Sequence, residues 1–205
     1  MGSPIDIGGH GKFSAASNAS APLLVVFGGI VVGGVASGVY MWNYMNSITD
    51  RFHIFVAAHH HVDGTKAYES LMSTVQAQNL TPSQQILYLF SGGYRPGKGL
   101  LTSKGPDLFS SIFLVDIWMG VTQESGSSVP DFYKALVDKN AAKITYVYTS
   151  FGADNDAARN YIANKVGSQR ATLVEWQVSD GKSDGKKNLM NTHMRTNTVA
   201  IGELP

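Results

Sequence analysis

The chain has 205 residues, 43% of them hydrophobic and only 15% charged, with a formal net charge of +1 and no cysteine. That length suits one domain with a full hydrophobic core. The near-neutral balance carries no electrostatic footprint for nucleic acid, and the missing cysteines exclude disulfides, thiolate catalysis and zinc–thiolate sites.

Residues 1–21 are rich in Gly, Ser, Ala and Asn and show no periodicity. They are expected to form a flexible leader, with a single domain over 22–205. The run from Pro22 to Trp42 carries no charge and reaches the roughly 20 residues that a bilayer-spanning helix requires. Its Gly29/Gly33 and Gly34/Gly38 spacing matches small-residue contacts between membrane helices, and Val35-Ala36-Ser37 resembles a signal-peptide cleavage site. Against both, Leu23-Leu24-Val25-Val26-Phe27 is a short apolar run stopped by Gly28-Gly29, the pattern of a buried strand. The favoured reading is strand, loop, then a helix from Gly38 to Ile48 with Val39, Trp42 and Met45 inward. A membrane-associated, non-catalytic interaction protein anchored by residues 22–45 stands as the alternative.

The same alternation continues along the chain. Phe52 to Ala58 is a second strand, and Thr65 to Gln76 a helix with Ala67, Tyr68, Leu71, Met72 and Val75 on one face. Gln85–Phe90 and Ser111–Val115 are the third and fourth strands. A helix over Val129–Lys139, a strand over Lys143–Tyr148, a helix over Asp156–Val166 and a strand over Thr172–Trp176 follow. Near-continuous apolar strands between amphipathic helices predict an α/β fold: a mostly parallel sheet of about six strands with helices on both faces.

In such a sheet, ligands and catalytic groups sit beyond the carboxyl ends of the strands. Gly28-Gly29, His59-His60-His61, Ser91-Gly92-Gly93, Asp116 and Asp154 all fall there, and His193 lies past the last strand. The stretch Tyr88 to Gly99, "YLFSGGYRPGKG", admits two chemistries. Gly92 to Lys98 fits a phosphate loop, but Gly99 replaces the metal-binding Ser/Thr, and the stretch from Gly99 to Gly105-Pro106 predicts that the helix such a loop feeds stops early. Leu89-Phe90-Ser91-Gly92-Gly93 instead fits a sharp strand-to-helix turn that exposes a nucleophilic serine, with small residues on its downstream side and Leu89 where glycine is usual.

The order of Ser91, then Asp116 or Asp154, then His193, each after a strand, resembles the α/β-hydrolase superfamily of serine esterases and lipases. Gly28-Gly29 resembles the loop that supplies that family's oxyanion amides, Ser150-Phe151-Gly152-Ala153-Asp154 the loop carrying its acid, and Asn191-Thr192-His193 the loop carrying its histidine. The resemblance implies a three-layer sandwich and a serine hydrolase that cleaves an ester, thioester or amide. Ser91 is then the nucleophile, His193 its base and Asp154 or Asp116 the orienter, with oxyanion donors at the amides of Gly92 and of Gly29 or Ile30. It implies no cofactor and a small-molecule or lipid ester as substrate. Each residue also has a plain alternative: Asp116 as a cap or ion-pair partner, Asp154 as an N-cap, His193 as an exposed side chain.

His59 to His61 invite a metal reading, with His59, His61 and Asp63 as two imidazoles and a carboxylate serving a metal-dependent hydrolase. Short spacing at a strand end makes this the weaker enzymatic reading. The low charge leaves room for contact with a membrane surface. The cytoplasm is slightly favoured over secretion.

Overall fold

The computed structural model describes residues 4–29, 37–116, 143–149, 171–176 and 186–205. They build an eight-stranded sheet in the order β1-β2-β4-β3-β5-β6-β7-β8. Its strands are β1 (Ile5–Asp6), β2 (Gly11–Ser14), β3 (Leu23–Phe27), β4 (His53–Ala57), β5 (Gln85–Phe90), β6 (Ser111–Val115), β7 (Lys143–Thr149) and β8 (Ala171–Trp176). From β4 to β8 every pairing is parallel, while β2 runs antiparallel to both β1 and β4.

All six expected strands are present, and the mostly parallel α/β architecture stands. The flexible leader does not. Residues 5–14 form two strands of the sheet, Phe13 is 1% exposed, and Ile7, Ala16 and Ala21 are buried. The glycines that suggested flexibility make a hairpin turn. Gly8 and Gly9 hold φ values of 55° and 76°, and the Gly9 N–H donates to Asp6 Oδ1 at 2.8 Å. His53 pins the segment that follows. Its Nδ1 accepts from the Ala16 N–H at 3.1 Å, and its Nε2 lies 3.2 Å from the Ala19 carbonyl, which fixes the Nε2–H tautomer.

The apolar run of β3 is covered on both faces, and all five of its side chains are 0% exposed. Alternate residues feed two cores. Leu23, Val25, Phe27, Leu87 and Leu89 face helices α2 (Gly64–Ala77) and α3 (Tyr94–Lys104). Leu24, Val26, Ile86, Tyr88 and Phe90 face α1 (Ser37–Met45) and α4 (Lys186–Gly202). Leu23–Phe27 is therefore a central strand and not part of a membrane helix. Among the described residues no helix is long and apolar enough to cross a membrane. On α1 it is Met41 and Met45 that are buried, while Val39, expected inward, is 54% exposed. On α2 the expected face holds: Ala67, Tyr68, Leu71 and Val75 are buried and Met72 packs against them. The helices expected at 129–139 and 156–166 lie outside the described residues.

The far core contains a polar tie between strand and helix. The fully buried Tyr88 hydroxyl donates to Asn197 Oδ1 at 2.7 Å, and Asn197 Nδ2 donates to the Met194 carbonyl at 3.0 Å. Burial holds the Tyr88 phenol well above its usual 10.0, and burial pushes His53 below its usual 6.5, opposed by the Ala19 carbonyl. Tyr88 thus stabilises the fold fully below pH 10.0 and loses that contribution as the unfolded chain deprotonates above it. His53 contributes fully above pH 6.5 and loses its contribution as the pH falls toward its depressed folded value. Thermal melts are expected to show a plateau bounded near these two values. Tyr88→Phe is expected to lower the plateau by about 1–3 kcal/mol, because Asn197 Oδ1 is left unsatisfied, and to flatten the alkaline limb.

Candidate active site

The centre of the carboxyl edge is the end of β5. Phe90 is still extended, at φ −109° and ψ 128°, but Ser91 turns into the left-handed region at φ 51°. The chain then closes a 3-10 turn over Ser91–Gly93 and enters α3 directly. A non-glycine residue in that region costs about 1–3 kcal/mol and persists only where its surroundings enforce it.

Three close approaches enforce it. A Cβ on Gly93 would lie 2.0 Å from the Phe27 carbonyl oxygen, so the turn sits directly on the end of β3. A Cβ on Gly29 would lie 2.7 Å from Ser91 Cβ and 3.0 Å from its Oγ, so the Gly29 backbone abuts the Ser91 side chain. The third contact accommodates Leu89. A Cβ on Gly97 would lie 2.4 Å from a Leu89 methyl carbon. The bulk that glycine usually avoids two residues before the serine is taken up six residues after it, where α3 lacks a side chain.

The expected stop at Gly105-Pro106 is observed, although the helix starts before Lys98. The helix α3 runs through Gly97 and Gly99 to Lys104 and ends at Gly105, φ 85°. The phosphate-loop reading fails on geometry, since no loop separates strand from helix, Gly97 packs on Leu89, and Lys98 is exposed.

Asp116 follows β6, the neighbour of β5. The register Phe90↔Val115 makes Ser91 and Asp116 the next positions on adjacent strand ends. Asp116 is fully buried, also left-handed at φ 43°, and its N–H donates to the Val147 carbonyl at 2.8 Å. Asp154 and Ile30 lie outside the described residues. His193 is not on a loop, as expected, but within α4. It stands one helical turn before Asn197, the residue that bonds Tyr88, and its side chain is outside the described residues.

The metal constellation does not assemble. His59–His61 form a turn in which the His61 N–H donates to His59 Nδ1 at 3.2 Å, and the rings of His60 and His61 lie 3.8 Å apart. Asp63 is the N-cap of α2, its Oδ1 accepting from the Thr65 and Lys66 amides at 3.0 and 3.1 Å. Among the described residues no three His, Cys, Asp or Glu side chains are placed to hold a metal. His60 is buried with Nδ1 unpartnered, and its pKa is lowered, first by burial and then by His61, Arg95 and His59.

One residue of the site was not anticipated. Tyr40 of α1 sets its ring edge-on to Phe90, with centroids 6.4 Å apart at 85°. Its hydroxyl oxygen lies 3.1 Å from the point where a Gly29 Cβ would sit. That oxygen is buried and lacks a hydrogen-bond partner. An aromatic on the helix after a glycine turn was the available signal, overshadowed by the apolar pattern around it. A separate cavity of about 270 Å³, lined by Lys12, Val39, Trp42 and Val56 among others, lies along α1 and includes neither Ser91 nor Asp116.

No family model matches the sequence, and no curated protein resembles it significantly in sequence. Solved structures do match. A serine hydrolase without lid from Xanthomonas campestris aligns at TM-score 0.56 and 12% identity, over 95% of this chain and 89% of that one. A serine hydrolase homologue from Coxiella burnetii aligns at TM-score 0.55 and 9% identity, over 99% and 96%. A structure from a study of carboxylesterases of the thaumarchaeon Nitrososphaera gargenis aligns at TM-score 0.50 and 11% identity, over 98% and 100%. The chain has the α/β-hydrolase fold.

The Leu89–Gly97 exchange is testable by a double-mutant cycle. Gly97→Ala is expected to cost about 1–3 kcal/mol by overpacking, and Leu89→Ala about 2–5 kcal/mol by truncation. In the double variant the new methyl enters the space that Leu89 vacates. Urea unfolding should therefore give a sum smaller than the parts by about 0.5–3 kcal/mol; additive values would show that the two residues do not compensate one another.

Proposed function

We propose that this chain is a serine hydrolase that cleaves an ester, thioester or amide by acyl transfer. The observation that carries the reading is Ser91, a strained, left-handed serine at the carboxyl end of a central strand with its hydroxyl against Gly29. Such strain has a use where a nucleophile must be lifted above a sheet. The names of the fold neighbours, serine hydrolases and carboxylesterases, point the same way.

In this reading His193 takes the Ser91 proton as Oγ attacks the carbonyl carbon, and the carbonyl π electrons move onto oxygen. The resulting oxyanion is held by the amides of Gly92 and of Gly29 or Ile30. Collapse breaks the bond to the leaving alcohol, thiol or amine, which takes the proton from His193. Water then attacks the acyl-Ser91 by the same route and releases the acid. Asp154 or Asp116 orients the histidine and balances its charge. Asp116 has the support of adjacency to Ser91 on the next strand, and Asp154 that of its place after β7. The lidless neighbour from Xanthomonas campestris favours an open site for a small or extended acyl substrate.

Wild-type protein is expected to be labelled by a fluorophosphonate probe and Ser91→Ala not to be; equal labelling of the two would remove Ser91 as nucleophile. Asn substitutions at Asp116 and Asp154 separate the candidate orienters. The true one is expected to lose roughly 10⁴-fold in kcat with Ser91 still present, while the other stays near wild type in ester turnover. A third variant reads the strain itself. Ser91→Gly is expected to be more stable than Ser91→Ala by about 1–2 kcal/mol in urea unfolding, because glycine enters the left-handed region freely.

A further inference from the structure

The Tyr40 hydroxyl requires an explanation. An unpartnered buried hydroxyl forfeits hydrogen bonds to water without replacement, and natural folds keep few of them. Phenylalanine would fill the same space against Phe90 without that penalty. The hydroxyl is also placed where chemistry is expected. Ser91 Oγ and Tyr40 Oη lie 3.0 and 3.1 Å from the same point beside Gly29, so the two oxygens are within about 6 Å of one another. A tetrahedral carbon bonded to Oγ can turn its oxyanion toward Oη over a separation of that size or less.

We propose that the Tyr40 hydroxyl is a side-chain donor of the oxyanion hole, hydrogen-bonding the tetrahedral intermediate alongside the amides of Gly29 and Gly92. This rests on the serine-hydrolase reading above. The phenol is suited to the task because burial raises its pKa above the usual 10.0, with the Gly29 amide opposing and Tyr44 adding slightly. The Gly29 N–H is near enough to favour the phenolate but forms no hydrogen bond of proper geometry with the neutral phenol. Tyr40 therefore keeps its proton and acts as a donor. The orphan state belongs to the free enzyme, and the partner arrives only as negative charge develops on the substrate oxygen, which is how an interaction lowers the barrier without tightening ground-state binding.

The test is Tyr40→Phe, assayed with a short-chain p-nitrophenyl ester beside wild type and Ser91→Ala. The proposal expects kcat to fall about 10²-fold with KM nearly unchanged, and the melting temperature to stay or rise as the orphan hydroxyl is removed. A kcat within twofold of wild type in a variant that melts normally overturns it and leaves the serine mechanism standing, provided wild type labels with fluorophosphonate. Absence of labelling in wild type overturns both. Should Tyr40→Phe fail to fold, tetrafluorotyrosine at position 40 decides. Its more acidic phenol must move the alkaline limb of kcat to lower pH if the proton on Oη is used, and an unmoved limb overturns the proposal.

Discussion

The step from β5 into α3 is the constraint on which the site depends. A strand that ends in an extended Phe90 and a helix that begins at Tyr94 leave Ser91 no ordinary conformation, and it takes φ 51°. The cost, about 1–3 kcal/mol, is offset by what the turn permits. β5 lies between β3 and β6 with both faces covered, and α3 can approach because Gly93 and Gly97 present no side chain to the Phe27 carbonyl and to Leu89. Relaxing Ser91 would lift α3 off the sheet and expose Leu87, Leu89, Leu100 and Leu101 together. At about 1.5–3 kcal/mol for each side chain lost from a core, the packing holds the strain and not the reverse.

The parts of this fold that were legible in the sequence are those whose burial is complete. β3 to β6 read as apolar runs because both faces are covered. What escaped was built by packing that overrides local propensity. Gly8 and Gly9 carry the same signal in a hairpin as in a disordered leader, and only the partner strand β4 distinguishes them. The helix α3 contains Pro96, Gly97 and Gly99, poor helix formers, yet proline is tolerated in a first turn and Gly97 is needed by Leu89. The helix α4 escaped for the opposite reason. It buries Thr196 and Asn197, both 0% exposed, on the side that an apolar stripe would mark. The candidate site was legible as an order of residues after strands. The sequence could not show that Asp116 neighbours Ser91, because strand order is not written in the chain, nor that Tyr40 reaches Gly29.

A chain this poor in charge organises its interior with neutral hydroxyls and amides, and one such pair sets the register of α4 against the sheet. Arg51, just before β4, donates to the carbonyls of Leu204 and Pro205 at 3.3 and 2.8 Å. The end of α4 is thereby held at the amino edge of the sheet, and the helix runs back from the carboxyl edge where Ser91 sits. The Tyr88–Asn197 hydrogen bond then fixes how far α4 has slid along β5. From Tyr88 to Ser91 the strand climbs three residues, about 10 Å. From Asn197 back to His193 the helix climbs four, about 6 Å. On the proposed mechanism, the base starts about 4 Å below the nucleophile along the strand axis, a gap that one side chain covers. A helix can position a general base in place of the usual loop only if its register is fixed to better than one turn, since a slip of 5.4 Å would exceed any hydrogen bond. The buried Tyr88 hydroxyl, which an aliphatic core residue could not replace, supplies that register.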